Sequence, residues 1–226
     1  LDEEAWRAAP VVTSFTERDP DEGAPVSERT EVRVLYDDHA IYIGARLFDR
    51  SPVTTRLGRR DMAISSSDWI RVSFDSFLDR RTAYRFDVNP SGVRRDGILG
   101  AGGSGGGGGF AGPDGDLAWD AVWDARTSVD ADGWTAELSI PFSQLRFVQD
   151  ADTWGFQLER IIDRRQELSL FSFTRKSEPG GVAAFGQLTG LRGLLQGRRL
   201  EVIPYVLTEA DFVKAGDNPF RSDREL

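Results

Sequence analysis

DWIRVSFDSFLDRRTAYRFDVNPSG, residues 68–92, reads as two strands joined by a loop. In the first strand Ile70, Val72 and Phe74 alternate with Trp69, Arg71, Ser73 and Asp75. In the second, Tyr84, Phe86 and Val88 alternate with Arg85, Asp87 and Asn89. A strand sends successive side chains to opposite faces, so the apolar set belongs to a core and the other set to the opposite face. That second face gathers an indole, guanidiniums, carboxylates and an amide, all groups that can grip a ligand. A β domain with such a face is a binding scaffold more often than a catalyst.

The same alternation extends outward on both sides. Thr30 to Tyr36 and Ala40 to Phe48 form a hairpin across Asp37-Asp38. Trp119 to Val129 and Gly133 to Ile140 form another across Asp130 to Gly133. Val11 to Phe15, Thr153 to Asp163, Leu168 to Thr174, Phe185 to Leu191 and Arg199 to Thr208 read as further strands. Glu17 to Glu28, rich in proline and acid, reads as a surface loop, and Leu1 to Ala9 as a short helical turn capped by Asp2. About nine or ten short strands, with turn signals every 8–12 residues or so and no long amphipathic helix, predict an all-β, antiparallel, jelly-roll-like β-sandwich. The pattern covers residues 1–195, and residues 196–226 read as a C-terminal extension.

Composition removes several functions. The chain of 226 residues carries a net charge of -9, which argues against a nucleic-acid partner. It has no cysteine, so disulfides, thiol catalysis and cysteine metal sites are excluded. His39 is its one histidine and sits in a turn signal, so a multi-histidine metal site cannot be built. Lys176 and Lys214 are the only lysines among 28 basic residues, leaving a guanidinium-dominated set of cations.

Among candidate site residues, Trp69 is in phase with the polar set, and Trp119 or Trp123 could join it as a stacking platform for a pyranose. The alternative is that a loop or second layer covers the indole. Arg71, Arg85, Asp87, Asn89 and Glu137 can bridge sugar hydroxyls, or else form a cross-strand salt-bridge lattice with Arg71 opposite Asp87. Asp75 and Asp79, or Asp114, Asp116, Asp120 and Asp124, could supply oxygens to calcium, or else cap turns and pair with arginines. Asp87 with Glu137 could make a glycosidase-like carboxylate pair. The glycine-rich run from Asp96 to Asp116 has Gly-x-Gly spacings, but no Walker lysine or capping helix follows, so it reads as a long hairpin tip.

Five ordered runs carry a resemblance: LDEEAW (1–6), TEVRVLYDDHAIYIGARLFD (30–49), SSSDWIRVSFDSFLDRRTAYRFDVNPSGVRRDG (65–97), WDAVWDARTSVDADGWTAELSIPFSQLRF (119–147) and AFGQLTGLRGL (184–194). Together they resemble the family 9 carbohydrate-binding module, in the version found at the N-terminus of large bacterial outer-membrane proteins of unknown function. The resemblance implies a β-sandwich in a periplasmic or outer-membrane-associated setting, followed by a membrane β-barrel that begins near residues 199–208. It also implies a non-catalytic saccharide-binding role. The family's sugar site uses two tryptophans, a glutamate, an arginine and an asparagine. Asn89 matches the asparagine, Arg71 stands at the glutamate position and Asp87 at the arginine position. The stacking tryptophans fall near Ser65 and Val182, which are not aromatic. Three expectations follow: a saccharide-binding module with a remodelled site, a docking domain for an outer-membrane barrel without a sugar site, and a glycoside hydrolase.

Overall fold

A computed structural model describes residues 1, 3–100, 116–194, 211–213 and 223–225. In chain order they form α1 (Glu4–Ala8), β1 (Val11–Val12), β2 (Thr16–Asp19), β3 (Thr30–Tyr36), β4 (Ala40–Phe48), β5 (Trp69–Asp75), β6 (Ala83–Val88) and β7 (Arg94–Leu99). Then follow β8 (Asp124–Asp130), β9 (Gly133–Pro141), β10 (Thr153–Ile162), β11 (Glu167–Leu170), β12 (Gly186–Thr189), β13 (Asp211–Val213) and β14 (Asp223–Glu225). One antiparallel sheet runs β1-β3-β4-β9-β8. The other runs β2-β11-β10-β5-β6-β7, with β12 beside β10. β13 and β14 pair with each other.

The two large sheets enclose one apolar core. β4 gives it Ile41, Ile43, Ala45 and Leu47, and β9 gives it Trp134, Ala136, Leu138 and Ile140. Ile70, Val72 and Phe74 of β5 and Phe86 and Val88 of β6 meet them from the other sheet. The expected β-sandwich is therefore present, with the alternation of residues 68–92 setting which face looks inward.

Some boundaries differ from the sequence reading. The first strand stops at Val12, and β2 forms inside the expected surface loop because Thr16 and Glu17 pair with Leu170 and Ser169 of β11. The strand expected from Trp119 begins only at Asp124, since Trp119 and Trp123 turn inward against Phe86. The strand expected through Thr174 ends at Leu170. β7 occupies the start of the glycine-rich run, paired with β6 from Val88↔Arg94 to Ala83↔Leu99. Residues 101–115, Arg199–Thr208 and Asp2 lie outside the described residues.

Residues 50–68 form a strap with no strand of its own, bonded to the edge strand β7 where Asp61 N donates to Arg94 O and to the β6–β7 turn where Asn89 donates to Arg56 O. Asp68 anchors it: Oδ2 accepts from Thr54 N at 3.1 Å and Oδ1 from Asp163 N at 2.8 Å. Burial pushes the Asp68 carboxyl up to about 6, against these bonds and the nearby Arg164 and Arg160. The folded protein thus holds this proton more tightly than an unfolded chain, whose carboxyl titrates near 3.8. The stabilisation from this group is complete below that value and is lost as pH rises through about 6. At roughly 1.4 kcal/mol per pKa unit the loss is about 3 kcal/mol. Urea denaturation across this range should show Asp68→Asn lacking that downward component. An unchanged pH slope in the variant would contradict the assignment.

Candidate functional site

The outward face of β5, β6, β7 and β10 holds charge in an ordered row. Pairing places Glu159 beside Arg71, Arg71 beside Asp87, and Asp87 beside Arg95. The signs alternate across four strands. Arg71 Nη1 donates to Glu159 Oε2 at 3.2 Å, and Arg71 Nε lies 3.4 Å from Asp87 Oδ2. Arg85 Nε approaches Asp87 Oδ1 at 3.5 Å, and Arg95 Nη1 approaches Oδ2 at 3.9 Å. The expected opposition of Arg71 and Asp87 is present, enlarged to three guanidiniums around one carboxylate. Arg71, Arg85, Asp87 and Arg95 are all buried, and the row reaches solvent at Glu159, whose side chain is 19% exposed. The next row of the same face is Gln157, Ser73, Arg85 and Gly97.

Polar groups beside this ladder are committed to the protein itself. Asn89 donates to Arg56 O at 2.7 Å and to Ser67 Oγ at 3.1 Å, and its Oδ1 accepts from Ser91 N and Val93 N. All four hydrogen-bonding positions of that amide are thereby used. Gln157 Oε1 accepts from Leu158 N and Ser172 N, and its Nε2 donates to Ser172 O. Asp75 accepts from Asp79 N and Arg80 N, closing the β5–β6 turn. Burial raises the Asp75 carboxyl above its ordinary range, partly offset by these N–H donors.

Trp69 takes the covered alternative. It is 0% exposed, packed with Ile64, Val93 and Ile161, and donates Nε1 to Ile64 O at 2.8 Å. In this conformation neither ring face is open to a sugar. The strap closes over the indole because Met62 and Ile64 find their apolar neighbours there. Trp123 lies on the inner side of the sheet, edge-on to Phe86 and donating Nε1 to Asp96 Oδ1 at 3.2 Å. It therefore shares no face with Trp69, which corrects the expected pairing. Glu137 projects outward from β9, in the other sheet, and accepts from the Leu1 amine at 2.7 Å. The sandwich core separates Glu137 from Asp87, so the two carboxylates do not flank a common cleft.

The acids considered for calcium are otherwise engaged. Asp79 accepts from Arg81 N and Thr82 N, Asp120 pairs with Arg60 at 2.9 Å, and Asp124 pairs with Arg94 at 3.2 Å. Asp116 accepts from Ala118 N, and Asp114 lies outside the described residues. Among the described residues no group of three or more His, Asp or Glu is gathered in a metal-holding arrangement. A recess lined by Val148, Asp150, Asp152, Leu191 and Arg192 opens beside the start of β10, and none of these residues belongs to the ladder.

Arg95, Ser73 and Glu159 were not singled out from sequence. Glu159 was findable, since it alternates with the inward Phe156 and Leu158 of β10. Arg95 was hidden because Arg94 to Gly97 shows no apolar alternation.

No protein-family model matches the chain, and no curated protein matches it. Solved structures do. A family 9 carbohydrate-binding module from Caldicellulosiruptor kristjanssonii in complex with cellotriose has a TM-score of 0.56 at 15% identity, covering 91% of this chain and 92% of its own. One from the same organism in complex with glucose has a TM-score of 0.57 at 16% identity, covering 90% and 93%. A Bacteroides uniformis protein assigned provisionally to carbohydrate binding has a TM-score of 0.58 at 14% identity, covering 78% and 86%. At these identities the likeness is one of fold: the chain has the sandwich seen in family 9 carbohydrate-binding modules.

Proposed function

We propose that the protein is a non-catalytic saccharide-binding module whose ligand meets the ladder face of β5, β6, β7 and β10. The observation that carries this reading is the row Glu159–Arg71–Asp87–Arg95, an ordered set of planar donors and acceptors across four strands. The sandwich around it has the fold of modules solved with cellotriose and glucose, which supports the same reading. In this reading Trp69 and Asn89 brace the face from its edge, Arg71, Arg85 and Asp87 meet the ligand, and Trp123 and Glu137 hold other parts of the fold. Residues 1–195 form the module. Residues 196–226 lead toward a membrane β-barrel in the parent chain, with the module on the periplasmic side of the outer membrane.

Calorimetry on the 226-residue chain, guided by a glycan array, tests the proposal. Weak binding is expected, with a Kd of about 1 mM. Arg71→Gln should weaken it at least about tenfold, the scale of one hydrogen bond to a charged group. Failure to bind any glycan would sink it.

A second reading is a docking domain for the barrel with no sugar site. The closed Trp69 indole and the depth of the ladder favour it. In that case glycans do not bind, while the purified barrel captures the module.

A further inference from the structure

The β5–β6 hairpin ends in a tip, residues 76–82, that presents apolar side chains to solvent. Phe77 is 42% exposed and Leu78 is 40% exposed. The backbone there is costly. Leu78 and Arg80 hold φ of +52° and +58°, left-handed values that favour glycine. The turn is nonetheless fixed in place. Asp75 accepts from Asp79 N and Arg80 N, and Asp79 accepts from Arg81 N, Thr82 N and Thr82 Oγ1. Ser76 Oγ donates to Arg146 O, in the loop before β10. Glycine at position 78 would make the same turn without strain, so the turn itself does not ask for a leucine held outward. Arg80, Arg81 and Arg146 are exposed beside it, and among the described residues none of their guanidiniums is in an ion pair. Asp79, the one acid of the tip, spends its carboxylate on the turn. Val148, also exposed, follows in the same loop as Arg146.

We infer that this tip docks on a membrane: Phe77 and Leu78 enter the headgroup region of a bilayer, and Arg80, Arg81 and Arg146 bind the phosphates of anionic lipids. The inference is independent of the saccharide reading. A guanidinium pairs through two parallel bonds with the oxygens of a phosphate. An apolar pair flanked by arginines matches the layering of a bilayer surface, where phosphates lie above acyl chains. A protein partner fits the tip less well, because a stable interface takes about 800 Å² from each side and a narrow convex turn cannot supply it. A bilayer accepts a protruding tip without a matching shape. The net charge of -9 opposes approach to an anionic surface. At about 0.1 M salt the Debye length is about 10 Å, so distant acids are screened while guanidiniums touching phosphate are not.

The test is flotation of the 226-residue chain with vesicles at fixed salt, together with thermal unfolding of each variant. One set of vesicles is phosphatidylcholine alone, and the other carries about one-third phosphatidylglycerol in about 0.1 M salt. The mixed vesicles should bind at least about fivefold more tightly than phosphatidylcholine alone. Leu78→Gly relieves the left-handed strain, so Tm should not fall, while vesicle binding should weaken about fivefold or more. Arg80→Gly relieves the second strained position and removes a guanidinium, and should weaken binding about fivefold, again without loss of Tm. Phe77→Ser tests the other apolar residue and should weaken binding about fivefold or more. Glycan binding by the same variants should stay as in the unaltered chain, so the saccharide reading succeeds or fails separately. No binding to the mixed vesicles would overturn the inference, as would binding that none of the three substitutions alters. A dimer in sedimentation velocity that Leu78→Gly dissolves would give the tip to a second copy and overturn it too.

Discussion

Arg160→Met should cost about 3–5 kcal/mol of folding stability, the range for removing one member of a buried charged network. Arg160 is 2% exposed and faces into the sandwich from β10. Its Nη1 donates to Arg29 O at 2.9 Å and Thr30 Oγ1 at 3.0 Å, and its Nη2 to Phe48 O at 2.6 Å. These acceptors belong to the other sheet, so one guanidinium ties both layers at the ends of β3 and β4. Burial lowers the Arg160 pKa to about 10, offset in part by Asp49, so the group stays charged at neutral pH. Methionine fills the volume but removes the donor to Thr30 Oγ1 and Phe48 O, while Arg29 O keeps Phe48 N at 3.0 Å. Asp49 keeps its paired bonds to Arg164, both at 2.7 Å, which limits the damage to Phe48 O and Thr30. Urea denaturation of both proteins measures the difference. A loss below about 1 kcal/mol would show that these acceptors find other donors.

Gly133→Ala should be comparably damaging, at about 3 kcal/mol or more, through a different cause. Gly133 opens β9 with φ +131°, a conformation that side chains disfavour. An added Cβ would stand 2.1 Å from Leu47 O, 2.8 Å from Asp49 N and 3.0 Å from Phe48 Cα. All three are backbone atoms of the end of β4, which a rotamer change cannot move aside. The strand pairs Phe48↔Gly133 and Asp130↔Gly133 would have to separate. Gly181 provides the control. It also has positive φ, +75°, but nothing lies within 4 Å of its Cβ position. Gly181→Ala should therefore cost only the backbone strain, about 1 kcal/mol. Thermal unfolding distinguishes the two, with Tm falling by about 6–12 °C for Gly133→Ala. Equal Tm losses in the two variants would refute the steric argument.

The sandwich was legible because the strands that enclose its core alternate cleanly. Ile41, Ile43 and Leu47 in β4 and Trp134, Ala136 and Leu138 in β9 each mark a single buried face. Edges were harder. β2 is the polar stretch TERD, whose strand character comes from pairing with β11 rather than from its side chains. β7 turns the charged Asp96 inward, where Arg60, Ala121 N and Trp123 Nε1 satisfy it, so no apolar period announces the strand. At the site, the Arg71–Asp87 opposition followed from counting residues along a short hairpin. The closure of Trp69 did not, because the covering residues sit in an irregular strap whose path is set by Asp68 and Asn89. Which polar atoms are spent on backbone partners depends on that path, and no local pattern encodes it.

The alternating charges across β10, β5, β6 and β7 also act on assembly of the sheet. Sliding β6 by two residues along β5 keeps every apolar side chain on its proper face, so hydrophobic burial alone would tolerate the error. The charges would not. Such a slip sets Arg71 against Arg85 in one direction and against Asn89 in the other, instead of against Asp87. Along β7 the same shift moves Asp87 from Arg95 to Val93 or Gly97. Only one registration leaves the buried carboxylate between two guanidiniums. The ladder is thus a combination lock on strand alignment, rejecting the misalignments that the core cannot detect.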